Sequence, residues 1–187
     1  MRLLKKTGYV LFYAIVLFLA YYVFLQVFMP ERTIDYIGFK SFVVLTPSME
    51  PDINVNDMII VKKTRKKNIE AGDVITFEVY VEEFGKEVYV THYVAEIDRS
   101  GDEVIYHTQG AQAEEGEYDE WTDENDQDIN ITYDDIAGVY AFKIPNLGFF
   151  TRMFQDPFML AFITVDLVII YFLVKTIIKK PHDNVND

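Results

Sequence analysis

The chain has 187 residues, half of them apolar and a quarter charged, and its formal net charge is −13. An aromatic fraction of 16% is too high for a disordered chain, and so acidic a chain offers no basic face for nucleic acid. The absence of cysteine excludes disulfides, thiolate zinc sites and cysteine nucleophiles. The charge is also unevenly spread: residues 31–157 hold 27 acids and 11 bases, whereas the flanks 1–30 and 158–187 hold three acids and six bases. Three segments follow: an N-terminal tip with an apolar run (1–30), an acidic middle domain (31–157), and a second apolar run with a tail (158–187).

The first run, Gly8 to Met29, has 22 residues without a charge and one amide, Gln26. That length matches the roughly 20 residues a helix needs to cross a bilayer core. A cleaved secretory signal would be shorter and end in small residues, but this run ends in Phe28-Met29-Pro30. It reads as an uncleaved anchor. Short runs rich in Val, Ile, Tyr and Phe follow at 41–45, 58–63, 73–81, 87–98, 103–109 and 135–144, punctuated by turn residues as in β-strands. In 87–98 apolar and polar residues alternate, so one face points to a core and the other outward. The segment from Glu114 to Asp128, with nine acids and no base, reads as a solvated loop. Its DENDQD stretch (123–128) hints at a calcium loop but lacks the central glycine and the bidentate glutamate.

The last run, Phe158 to Ile178, reads as a second span, with an amphipathic helix lying on the membrane as its alternative. Lys175 near its end can snorkel to the interface. Asp166 near its middle needs a partner, and Gln26 or a tyrosine of the first span is a candidate. Arg2, Lys5 and Lys6 precede the first span and Lys175, Lys179 and Lys180 close the second. By the positive-inside rule both termini are cytoplasmic, giving a two-pass cell-membrane protein with its β domain extracytoplasmic.

The chemistry centres on Thr46-Pro47-Ser48-Met49-Glu50-Pro51. Proline lacks a backbone donor and fixes φ, so a serine between two prolines at a strand end cannot continue a regular ladder and can be exposed, as a nucleophile must be. A serine hydroxyl needs a base to become a nucleophile. The middle domain offers two histidines, His92 in Val90-Thr91-His92-Tyr93-Val94 and His107 in Tyr106-His107-Thr108-Gln109. With His182 they are dispersed along the sequence, and no metal or cofactor is expected.

Taken in order, the apolar anchor, LTPSMEP, INVNDMIIV, AGDVITF, THYVAEI, HTQG and DIAGVYAFKIPNLG resemble type I signal peptidases over about residues 8–150. The resemblance is to the ER-type branch, which uses serine and histidine, and in which His92 stands where the serine-lysine branch has lysine. Lys86 falls before the strand and off that position. The resemblance implies a strongly bent antiparallel β-sheet domain held between two transmembrane helices, with an apolar edge at the membrane. It also implies a serine endopeptidase that removes signal peptides from translocated secreted or membrane precursors, with membrane lipid and the translocation machinery as partners. Substrate would add as a strand, with small residues at two positions before the cut.

In those terms Ser48 is the nucleophile, His92 the general base and acid, the Ser48 N–H an oxyanion donor, and Thr46 a second donor. The family pattern usually continues Lys-Gly-Asp after the fifth of these strands. Here Ala111 takes the place of that aspartate, so the acid that orients His92 becomes Glu117 or Asp119, with Asp119 favoured for its neighbours Tyr118 and Trp121. The same departure supports an alternative, a signal-peptidase-like factor that binds precursors without cutting, as in pilin assembly.

Overall fold

The structure is a computed structural model that describes residues 2–114, 116–155 and 157–178. The expectations on Lys179, Lys180 and His182 lie outside the described residues. Helix α1 (Arg2–Phe28) is long and apolar enough to cross a membrane from Lys6 to Phe28, and it is the helix that meets this criterion among the described residues. Pro30 opens a 3-10 turn (Pro30–Arg32), and the short α2 (Thr33–Ile37) ends at Gly38, whose φ of 86° supplies the left-handed cap.

Six strands form one antiparallel sheet: β1 (Phe39–Val43), β2 (Met58–Lys62), β3 (Val74–Val81), β4 (Lys86–Asp98), β5 (Ile105–Gln109) and, after a two-stranded ladder of β6 (Trp121–Thr122) with β7 (Asp128–Ile129), β8 (Ile136–Ile144). The order across the sheet is β1-β2-β8-β3-β4-β5. Each large strand begins and ends within two residues of its expected place. The mainly antiparallel β architecture behind an apolar N-terminal helix is therefore established.

The sheet is curled. In a flat sheet β1 and β4 would lie about 19 Å apart, four strand spacings. Here the rings of Phe42 in β1 and Tyr89 in β4 are 4.9 Å apart, with the Lys40 ammonium over both. Register shifts at Ile60/Val61, Thr76/Phe77 and Val94/Glu96 are the bulges that permit the bend. The curl leaves two packed centres. One gathers Ile69, Ile75, Phe77, Val79, Val94, Tyr106, Ile131 and Val139, and the other Ile34, Met49, Ile53, Ile59 and Val61. The second places Met49, the residue after the candidate nucleophile, among core side chains.

Three expectations are corrected. Lys86 is the first residue of β4, not a residue before it. The acidic segment is not all loop, because Trp121 packs edge-on against Phe77 and Ile129 packs on the core, giving β6 and β7 apolar anchors. Its DENDQD turn uses the Asp123 carboxylate to accept the N–H groups of Asn125 and Gln127, and no cluster of metal-ligating side chains occurs among the described residues. Gln26 is not directed to Asp166. Its amide donates to the hydroxyls of Tyr22 (3.0 Å) and Ser41 (3.1 Å), while Ser41 N donates to Tyr22 Oη, tying the end of α1 to β1.

Beyond β8 the chain turns at Asn146 (φ 57°) into α3 (Leu147–Gln155) and then α4 (Pro157–Ile178), an apolar helix containing Asp166. A Cβ at Gly148 would stand 2.5 Å from Val43 Cγ1 and 2.7 Å from Asn56 O, so only glycine allows α3 to dock there. The turn is fixed by Asp57. Its buried carboxylate accepts from the backbone N–H of Asn54 and of Asn146 and pairs with Lys143 Nζ at 2.9 Å. Burial pushes this carboxyl up, but the Lys143 contact and the two backbone donors outweigh it and hold it below the usual range. Replacing Asp57 with alanine strands three donors, so Asp57→Ala is expected to destabilise the protein by about 3 kcal/mol in thermal or denaturant unfolding. A loss under about 0.5 kcal/mol, the scale of an ordinary surface change, contradicts this.

Candidate active site

Ser48 follows β1 in a turn that leaves it exposed while Met49 is buried. Pro47 O accepts from Glu50 N (2.9 Å) and Met49 O from Ile53 N (2.8 Å), closing the turn, and the Glu50–Pro51 peptide is cis. The buried apolar side chain of Met49 anchors the box, and Ser48 stays exposed beside it. Thr46 Oγ1 lies 3.5 Å from Ser48 Oγ, a contact at the outer limit of hydrogen bonding. Among the described residues the Ser48 N–H has no protein acceptor.

His92 is in the middle of β4, opposite Ile75 of β3, and 7% exposed. Alternation puts it on the same face as Val90 and Val94. Its Nδ1 is 2.7 Å from Asp119 Oδ2. Asp119 belongs to the segment between β5 and β6, and its N–H donates to Thr108 O at 2.7 Å, so the backbone itself holds it against β5. The same Oδ2 accepts from Thr108 Oγ1 at 2.7 Å, and Thr108 Oγ1 accepts from Trp121 Nε1 at 2.9 Å. Burial raises the Asp119 carboxyl, yet the hydrogen bond and charge of His92, followed by the Thr108 hydroxyl, outweigh burial and hold it below the usual carboxylate range.

The serine and the histidine meet across Gly110. A Cβ there would be 2.9 Å from Ser48 O and 3.9 Å from both Cε1 and Nε2 of His92, and Ala111 N donates to Ser48 O at 2.9 Å. The Nε2 edge of the imidazole therefore faces the turn that carries Ser48, with no direct hydrogen bond between the two side chains. Ala111 packs its side chain against the cluster containing Met49 and Ile53, and its backbone N–H makes the hydrogen bond to the serine turn.

The other titratable groups are directed elsewhere. Glu117 takes the N–H of Glu114, and His107 points from the opposite face of β5 to stack on Tyr118 at 5.1 Å. Tyr118 donates its hydroxyl to Glu96. Lys86, on the His92 face of β4 but six residues away, lies at the far end of a groove. That groove, about 210 Å³, runs from Ser48 and Thr46 between Phe42–Leu45 on one side and Lys86–Thr91 on the other, floored by Met49, Ile53 and Ile59.

The sequence profile of the family described as signal peptidase, peptidase S26, matches residues 7–130, about two thirds of the chain, including every residue of this constellation. The chain belongs to that family. Signal peptidase I W of Bacillus subtilis (strain 168) is 36% identical over 74 residues, 39% of this chain. The matched part spans 36% of the length of that relative.

Thr108 and Trp121 were not singled out as site residues from the sequence, although Thr108 lies in the HTQG motif and Trp121 follows the favoured acid by two positions. Alternation in β5 carried the signal, since it puts Thr108 on the face opposite His107.

The depressed Asp119 carboxyl has a consequence for pH. A carboxyl held below its unfolded value of about 4 contributes stability that is present above that pH and is lost as pH falls through the folded value. Asp119→Asn is expected to flatten this part of the stability-versus-pH curve below about pH 4 while leaving the neutral shape unchanged. An acid limb identical to that of the wild type would contradict it.

Proposed function

We propose that the chain is a membrane-bound serine endopeptidase that cleaves signal peptides from translocated precursors. The observation that carries this reading is the 2.7 Å His92–Asp119 pair set beside an exposed serine at the end of a groove. Membership of the signal peptidase family supports the same reaction class. Ser48 Oγ attacks the scissile carbonyl carbon and passes its proton to His92 Nε2, and the carbonyl π electrons move to oxygen. The Ser48 N–H and Thr46 Oγ1 donate to that oxyanion. Collapse expels the amine, which takes the proton from His92, and water then repeats the sequence to release the acyl group from Ser48. Asp119 keeps the other imidazole proton on Nδ1, so that the lone pair at Nε2 faces the serine.

The groove suits an extended peptide. Among the described residues β1 pairs with β2 alone, and β5 covers β4 only from Tyr93 to Asp98, so both strand edges beside the groove are open. A substrate strand can hydrogen-bond to them, with its side chains before the cut meeting the apolar floor. Small side chains at the two positions before the cut, as the family resemblance implies, would meet Met49, Ile53 and Ile59. Alpha-helices α1 and α4 act as two membrane spans with both termini cytoplasmic, and the β domain is extracytoplasmic, where it meets lipid and translocating precursors. The precursor-holding alternative drew its support from Ala111, and an acid already seated on Nδ1 favours the enzyme.

A secreted precursor incubated with the full chain in detergent tests the proposal. Wild type is expected to yield the mature product, while Ser48→Ala and His92→Ala lower the rate by at least about 1,000-fold. Asp119→Asn is expected to lower it by roughly 100-fold or more, and Glu117→Gln by less than about twofold. Absence of product from the wild type, or equal effects at Asp119 and Glu117, contradicts the assignment. Topology has its own test. Proteolysis of sealed vesicles from the extracytoplasmic side should digest the β domain and spare epitope tags at both ends, and loss of the C-terminal tag would contradict the second span.

A further inference from the structure

The Asp119 carboxylate accepts two hydrogen bonds on one oxygen, and the second comes from a residue with no role in the proposed reaction. Thr108 is 1% exposed, and its single hydroxyl proton has one acceptor within reach, Asp119 Oδ2 at 2.7 Å. The direction of that bond is not free. Trp121 Nε1 is a donor only and approaches Thr108 Oγ1 at 2.9 Å, occupying an acceptor position and leaving the hydroxyl proton to the carboxylate. Trp121 is fixed in turn by Phe77 at 5.4 Å between ring centroids, and its ring also lies 5.9 Å from the ring of His92. Register adds the last element: Thr108 lies opposite Val94, two residues from His92 and on the same face.

Without this hydroxyl the Asp119 carboxylate would keep the contact with His92 Nδ1 alone. It sits in a segment without strand pairing, and its other bond to β5 is made by its backbone N–H, which leaves the carboxylate rotamer open. We propose that Thr108, aimed by Trp121, is a positioning residue that locks the Asp119 carboxylate onto His92 Nδ1 and so fixes the imidazole tautomer that faces Ser48. Its effect on turnover rests on the endopeptidase reading, whereas its effect on the tautomer does not. Thr108→Val keeps the branched shape and removes the hydroxyl. Thr108→Ser keeps the hydroxyl and loses a methyl.

Two readouts on the full chain in detergent micelles test this. The first is the ¹⁵N spectrum of histidine-labelled protein without substrate, with His92 assigned by comparison with His107→Gln and His182→Gln. Wild type and Thr108→Ser are expected to hold the proton on Nδ1, and Thr108→Val to show a mixture of the two tautomers. The second is steady-state cleavage, in which Thr108→Val is expected to lower kcat by at least roughly tenfold with KM changed less than about twofold, and Thr108→Ser to recover most of kcat. If Thr108→Val does not fold, Trp121→Phe is read in its place, since it removes the donor and keeps a ring against Phe77; a partial mixture of tautomers is expected. A wild-type tautomer in Thr108→Val, or in Trp121→Phe where that variant replaces it, overturns the inference. A wild type that cleaves nothing yet shows the tautomer shift in Thr108→Val removes the endopeptidase reading and leaves the positioning role standing.

Discussion

At the end of β5 the backbone of Gly110 passes so close to Ser48 that a methyl group there would stand 2.9 Å from the serine carbonyl. No side chain larger than hydrogen fits without moving one of the two strands of backbone. This close crossing, secured by the hydrogen bond from Ala111 N, joins three parts of the chain that are remote in sequence. The serine turn comes from the end of β1, the histidine from the middle of β4, and the aspartate from the segment that follows β5. The curl of the sheet is what makes the crossing possible, because it folds β1 back toward β4 until Phe42 and Tyr89 touch. Remove the curl, and the groove beside Ser48 opens into a flat edge.

The same geometry relates the site to the apolar helix α1. Tyr22 and Gln26, one turn apart near the end of α1, bind Ser41 of β1, seven residues before Ser48. On the other flank, α3 docks through Gly148 onto Val43 and Asn56, with Arg152 bonded to the Asn56 side chain. Both attachments are made to β1 or the loop that follows the serine turn. The height of Ser48 above the end of α1 is thereby set by short polar contacts and close packing. In the proposed endopeptidase, a fixed height would select which bond of an emerging precursor reaches Ser48.

Much of this was legible in the sequence. Alternation in residues 87–97 makes β4 legible but leaves open which face carries His92, and the paired prolines mark the turn at Ser48. Strand ends were off by no more than two residues, because turn chemistry at Gly72-Asp73 and Ser100-Gly101 bounds the runs sharply. What could not be read was contact across the sheet. Polarity alone makes Gln26 or a tyrosine of the first span a candidate partner for Asp166, whereas Gln26 bonds Tyr22 and Ser41, the latter a small residue on a strand with no distinguishing pattern. The β6–β7 ladder was hidden by the charge of its surroundings, since only two apolar side chains, Trp121 and Ile129, pack it on the core. Thr108 escaped notice for the related reason that a threonine in a strand is ordinary until its partners are known.

The central claim is that the His92–Asp119 pair makes Ser48 a nucleophile, and this is measured most directly by covalent labelling. The full chain in detergent would be treated at neutral pH with a serine-reactive phosphonate, digested, and mapped by mass spectrometry. One equivalent of adduct on the peptide containing Ser48 is the expected result, strongly slowed in Asp119→Asn and absent in His92→Ala. Labelling of Ser48 at the same rate in the His92→Ala protein, or no labelling of Ser48 in the wild type, would contradict the account.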